Sequence, residues 1–244
     1  MAKRFVYQSL IEAPFAEDVP VEFAYFNGFS LAQKQRSIDS LHASFLEMRP
    51  QARILEVSSK GREPLGVALS AFNLMIVTSR RQFSVECAFQ GSKVFERGGP
   101  YVDLLDVDSR SAKKDPRIRE SGNVVGFRFH GTDYPTEPKD LFYNWLYVNA
   151  LNQHDDMFEA ACAYDAFTDI EFNPAKSINC QARALAIAVG LRRAGQLDCA
   201  LESVDGFCRM VYGYASAVDA PTDRGEDEGG DERSGEGGQL SLFE

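Results

Sequence analysis

Glu86, Gln90 and Lys93 stand at i, i+4 and i+7, so a helix would set a carboxylate, an amide and an ammonium in one row. Such a row has the parts for acid–base work and, if its surroundings lower the lysine pKa, for nucleophilic attack on a carbonyl. Ser84 suits the N-cap, and residues 84–95 read as a helix whose second face carries Val85 and Phe89. The same spacing also suits an ordinary capped surface helix, with Glu86 complementing the helix dipole. Just upstream, residues 69–74 form a short apolar run containing Phe72 and broken by Asn73. A second group of carboxylates, Asp165, Asp169 and Glu171, falls within residues 164–173, ahead of Pro174 and Asn179.

The elements that must position these groups follow from periodicity. Residues 4–11 and 21–26 alternate as short strands around a loop with Pro14 and Pro20. Ser30 caps an amphipathic helix reaching Met48, with Leu31, Ile38, Leu41 and Phe45 as its stripe, and residues 53–58 read as a strand. Residues 58–66 make a polar turn in which Lys60 and Arg62 could cradle a diphosphate or simply close a hairpin. Residues 65–76 return as strand or irregular core, residues 101–122 are partly helical, and 123–129 form a strand. Residues 139–152 form an aromatic helix: a core helix by the usual burial of such residues, or a stacking wall for a base through Tyr143, Trp145 or Tyr147. Helices follow at 155–163, 178–194 and 197–214. The fold class is α+β, predominantly helical, as a single domain with short strands and an acidic C-terminal tail expected to be disordered.

Composition bounds the function. The 244 residues, 44% hydrophobic, suffice for one sizeable core, and no apolar run is long enough to span a membrane. Residues 1–7 lack the apolar region of a signal peptide, and five scattered cysteines without a C-x-x-C pair suit a reduced cytoplasmic protein. Three separated histidines give no metal-ligand spacing, and no cofactor is expected. The net charge is −10, but nine acidic residues and two arginines lie in 216–244, which leaves −3 for the rest. A large cationic surface for non-specific nucleic-acid binding is therefore not expected, although Lys3 and Arg4, Arg80 and Arg81, Lys113 and Lys114 with Arg117 and Arg119, or Arg192 and Arg193 could form a local patch or be ordinary solvated surface.

The segments LSAFNL (69–74) and FSVECAFQGSKVF (83–95) together resemble the NADAR (YbiA-like) N-glycosidases. Glu86, Phe89, Gln90, Lys93 and Phe95 match that family's helix motif, whereas its His and Tyr after the Glu are Cys87 and Ala88 here, so a histidine mechanism at that position is not expected. Residues 54–74 resemble the branch that serves as antitoxin to DarT-type DNA ADP-ribosyltransferases. The likeness covers roughly residues 30–195, within a catalytic domain set at 30–215, with 1–29 an extension packed on it. It implies a substrate, ADP-ribose joined to the amine of guanine in DNA, and a DarT-type toxin as functional partner. It further implies Glu86, Lys93 and Asp169 as catalytic residues, with Phe72, Asn73, Phe89, Gln90 and Asn179 in substrate binding, to which the polar turn adds Lys60 and the aromatic helix Trp145. Lys93 could be a Schiff-base nucleophile or a cation that holds a phosphate or Glu86.

Residues 216–238 are acidic and glycine-rich, a linker that as a coil would span roughly 25–30 Å. Residues 239–244 then end in Gln-Leu-Ser-Leu-Phe-Glu, which resembles the bacterial sliding-clamp-binding motif and implies Gln239, Leu240, Leu242 and Phe243 as contacts to the clamp. Two other functions stay open at this level: an N-glycosidase of phosphorylated riboflavin-pathway intermediates, and a non-catalytic adaptor for toxin or clamp.

Overall fold

A computed structural model of the chain describes residues 1–213. The expected linker 216–238 and the peptide 239–244 lie outside the described residues. In chain order the strands and helices are β1 (Ala2–Ser9), β2 (Ala16–Phe23), α1 (Leu31–Met48), β3 (Ile54–Glu56), α2 (Pro64–Ala68), β4 (Met75–Val77), β5 (Gln82–Ser84), α3 (Val85–Gly91) and β6 (Lys93–Phe95). After a 3-10 turn at Val102–Asp106 come α4 (Ser109–Lys114), α5 (Arg117–Glu120), β7 (Val124–Phe129), β8 (Thr132–Tyr134), α6 (Leu141–Leu151), α7 (Asp155–Ala161), β9 (Ala166–Thr168), α8 (Gln181–Arg193), α9 (Leu197–Leu201) and α10 (Val204–Tyr212). The fold is mixed α+β with helices dominant.

The N-terminal hairpin forms one side of the main sheet, whose order is β2-β1-β9-β3, with β3 and β9 parallel and the other pairs antiparallel. From Asp18 onward β2 alternates, with Val19, Val21 and Phe23 inward, and it includes Pro20, expected in the loop, on a sheet edge where a missing N–H is tolerated. α1 packs on one face through Ile38, Leu41 and Phe45, capped by Ser30, whose hydroxyl accepts from Gln33 N–H at 3.3 Å. Leu31, expected in that stripe, is the first residue of the helix and is 53% exposed.

The other face of the sheet meets α8, which in turn packs on α6. α6 is buried on nearly every side, so its apolar residues show no single stripe, as suits a central helix. α8 approaches the hairpin so closely that a Cβ at Gly190 would stand 2.3 Å from the Leu10 carbonyl oxygen and 2.6 Å from that of Phe15. Gly190→Ala, normally a gain within a helix, is therefore expected to cost about 1–3 kcal/mol. A lower midpoint in chemical denaturation would register it.

Two expectations on local structure are corrected. Residues 65–76 are not mainly strand: α2 and a turn fill them before β4, because Asn73 donates from Nδ2 to the Val67 carbonyl at 2.8 Å and to Ser70 Oγ at 3.1 Å. The last helix is broken in two at Ser203, whose hydroxyl caps α10 by accepting from Gly206 N–H.

Candidate active site

Every residue of α3 is buried, including Glu86 at 5% exposure and Gln90 at 6%, which excludes a surface helix. Ser84 caps it, accepting from Cys87 N–H at 3.1 Å, and Glu86 N–H bonds the Ala71 carbonyl at 2.9 Å. The helix is shorter than expected. It ends at Gly91, where Ser92 folds its hydroxyl back on the Ala88 carbonyl at 2.7 Å, and Lys93 opens β6 opposite Phe127 of β7. Lys93 is thus not on the helix, yet it reaches the same row.

The row is a continuous chain of hydrogen bonds. Gln90 Nε2 donates to Glu86 Oε1 at 2.9 Å, and Lys93 Nζ donates to Gln90 Oε1 at 2.8 Å. This amide orientation is the one that suits both neighbours, since a flip would set NH2 against ammonium and oxygen against carboxylate. Lys93 Nζ also lies 4.6 Å from the centroid of the Phe89 ring. Burial lowers the Lys93 pKa to about 8; the Glu86 charge opposes this and that of Lys113 adds to it. Lys113, on α4, sits with its Nζ 3.7 Å from Glu86 Oε1 and 5.0 Å from the centroid of Phe72. Its place at the site was not legible from spacing, because α4 is brought there by packing on α3.

An aromatic wall backs the row. Phe89 meets Tyr143 edge-on at 5.0 Å and stacks with Phe127 at 5.6 Å. The Tyr143 pKa is raised well above that of a free phenol, first by burial, then by Glu86, Tyr147, Cys180 and Asp169, which keeps it a neutral donor. Tyr143 is therefore within electrostatic reach of both Glu86 and Asp169. Asp169 bends back to accept from Glu171 N–H at 2.9 Å and Phe172 N–H at 3.2 Å. Burial and then the Glu56 carboxylate push its pKa up to about 8. Glu56 itself is buried and held by Ser58, Thr168 and the Ile170 N–H.

The remaining expected site residues divide. Trp145 points into the core against Phe207 of α10 at 5.5 Å, and among the α6 aromatics it is Tyr143 that faces the row. Asn73 is engaged in its own turn, as described. Asn179 precedes Cys180, and its buried Oδ1 has no hydrogen-bond partner. Lys60 lies on the turn after β3, which is not built as a phosphate cradle: Ser58 donates to Glu56, and Arg62 is bound to Asp39 at 2.9 Å and to Gln35. Arg117, placed in a possible basic patch, is held by Asp103 and Asp115. No group of three or more His, Cys, Asp or Glu suited to a metal occurs among the described residues.

A buried carboxylate linked through an amide to a lysine with a depressed pKa, beside an aromatic wall, has the parts to move protons and to supply an amine nucleophile. The family model described as DarT1-associated NADAR antitoxin matches residues 2–220. No curated protein matches the chain at a significant level.

Proposed function

We propose a function from one established premise: the chain belongs to the DarT1-associated NADAR antitoxin family. The protein is an N-glycosidase that removes ADP-ribose from guanine bases of DNA and so reverses the damage done by a DarT-type toxin. The observation that carries this reading is the Glu86–Gln90–Lys93 chain, in which a carboxylate is coupled to a lysine whose pKa lies near 8.

The chemistry balances as follows. Glu86 relays a proton from solvent water to the ring oxygen as the bond from that oxygen to the anomeric carbon breaks, which leaves a protonated imine to the guanine amine. The Lys93 amine adds to that carbon, guanine departs with a proton, and water hydrolyses the resulting lysine imine to free ADP-ribose. A lysine meant only to hold a phosphate gains nothing from the burial that lowers its pKa. Tyr143 and Phe89 wall the sugar, and Asp169, whose burial raises its pKa, is a second candidate acid. Extrusion of the base favours single-stranded or distorted DNA.

Incubation with a guanine-ADP-ribosylated single-stranded oligonucleotide is expected to return the unmodified oligonucleotide and ADP-ribose. No release by folded protein would sink the reading.

The peptide 239–244 supports a further partner, a bacterial sliding clamp engaged through Gln239, Leu240, Leu242 and Phe243. Such a tether would raise the local concentration of the enzyme at DNA, where the −3 charge of residues 1–215 gives little grip of its own. Deleting 239–244 is expected to abolish clamp binding in a pull-down while hydrolysis of a free oligonucleotide stays within about twofold. Undiminished clamp affinity would retire the idea.

A further inference from the structure

A cavity of about 480 Å³ opens on the Ser84 and Cys87 side of α3. Its walls include Phe72, Met75, Phe83, Val107, Asp106 and Ser109. None of Glu86, Gln90 and Lys93 lines it, so it is distinct from the row of the candidate active site. The two are nevertheless neighbours. Phe72 belongs to the cavity, and the Lys113 ammonium stands 5.0 Å from that ring and 3.7 Å from Glu86 Oε1. One half-exposed cation therefore stands near both the buried carboxylate and an aromatic wall of the cavity.

We propose that this cavity is the subsite for the distal nucleoside of the substrate, the adenosine end of the ADP-ribosyl group. The inference rests on the glycosidase reading and names where the far half of that substrate goes. With the proximal ribose at Glu86, the diphosphate falls at Lys113 and the second nucleoside beyond Phe72. The volume lies within the roughly 300–1,000 Å³ of small-molecule sites. The lining suits a purine nucleoside: Phe72, Met75 and Val107 supply apolar contact, and Asp106, which pairs with Arg81 at 3.2 Å, can accept from hydroxyls or an exocyclic amine. Asp106 and Asp108 in the walls also repel phosphodiester backbone, which argues against a DNA strand in the same space.

The test uses the full chain and two forms of one oligonucleotide. One carries ADP-ribosyl-guanine; the other has been cut at the diphosphate by a phosphodiesterase, which leaves a phosphoribosyl stub. Wild type is expected to favour the intact form by about tenfold in kcat/KM, chiefly through KM. Val107→Trp fills the cavity from a 41%-exposed position with extended backbone that any L residue adopts, and it is expected to bring the ratio toward one. AMP binding by calorimetry gives a readout independent of turnover, present in wild type and weakened in Val107→Trp. A wild-type ratio near one, or AMP binding that is absent or indifferent to Val107→Trp, overturns the subsite. AMP binding that responds to Val107→Trp in a protein that cleaves neither form keeps the nucleoside pocket and retires the glycosidase.

Discussion

Glu86→Gln is expected to slow release of ADP-ribose from guanine by about 10²–10⁴-fold while the protein stays folded. The substitution keeps the shape of a side chain that is only 5% exposed, so no cavity forms. Gln90 Nε2 can still donate to an amide oxygen at the position of Glu86 Oε1. The Lys113 contact that is lost is a 3.7 Å pair with a half-exposed ammonium, of little weight in stability. What disappears is the ability to give and take a proton. Single-turnover mass spectrometry of the oligonucleotide, beside circular dichroism of the variant, separates the two effects. A loss under tenfold would remove Glu86 from acid–base duty.

The second large effect is in the pH dependence carried by Lys93. Only the free amine can add to the sugar carbon, and with the pKa lowered to about 8 its fraction grows about tenfold per unit below that value and saturates above it. Single-turnover rates are expected to rise from pH 6 and level off near 8, and borohydride is expected to trap a covalent adduct that Lys93→Ala cannot form. The sign has a counterpart in stability. The folded state binds this proton less tightly than the unfolded chain, so the handicap is present below pH 8 and is relieved as pH rises toward the unfolded value near 10.4. Rates that fall above pH 8, with no trapped adduct, would assign Lys93 to the cationic role.

Local chemistry made much of this legible in the sequence. Ser30 and Ser84 cap the helices they were expected to cap, and the Glu86–Gln90 pair follows from helical spacing alone. Lys93 reached the expected place by another route. Ser92 ends the helix and strand pairing with β7 takes over, a tertiary choice that a seven-residue pattern does not reveal. Lys113 was visible only as one of several basic pairs, because its partner lies 27 positions away and meets it through the packing of α4 on α3. Trp145 and Tyr143 sit two positions apart on a helix buried on nearly every side, so periodicity could not say which of them faces the row. The Glu56 network was missed for a similar reason: a carboxylate in a short strand gives no sign that a parallel partner 112 positions later will supply its donors.

The placement of Trp145 has an optical consequence. It is the only tryptophan in 244 residues, 4% exposed, and its ring lies 5.5 Å from Phe207. Intrinsic emission excited at the indole band therefore comes from one spot, the seam between α6 and α10. The colour of the emission therefore reports locally whether α10 stays seated on α6. The signal is thus a built-in witness for the packing of α10 on α6.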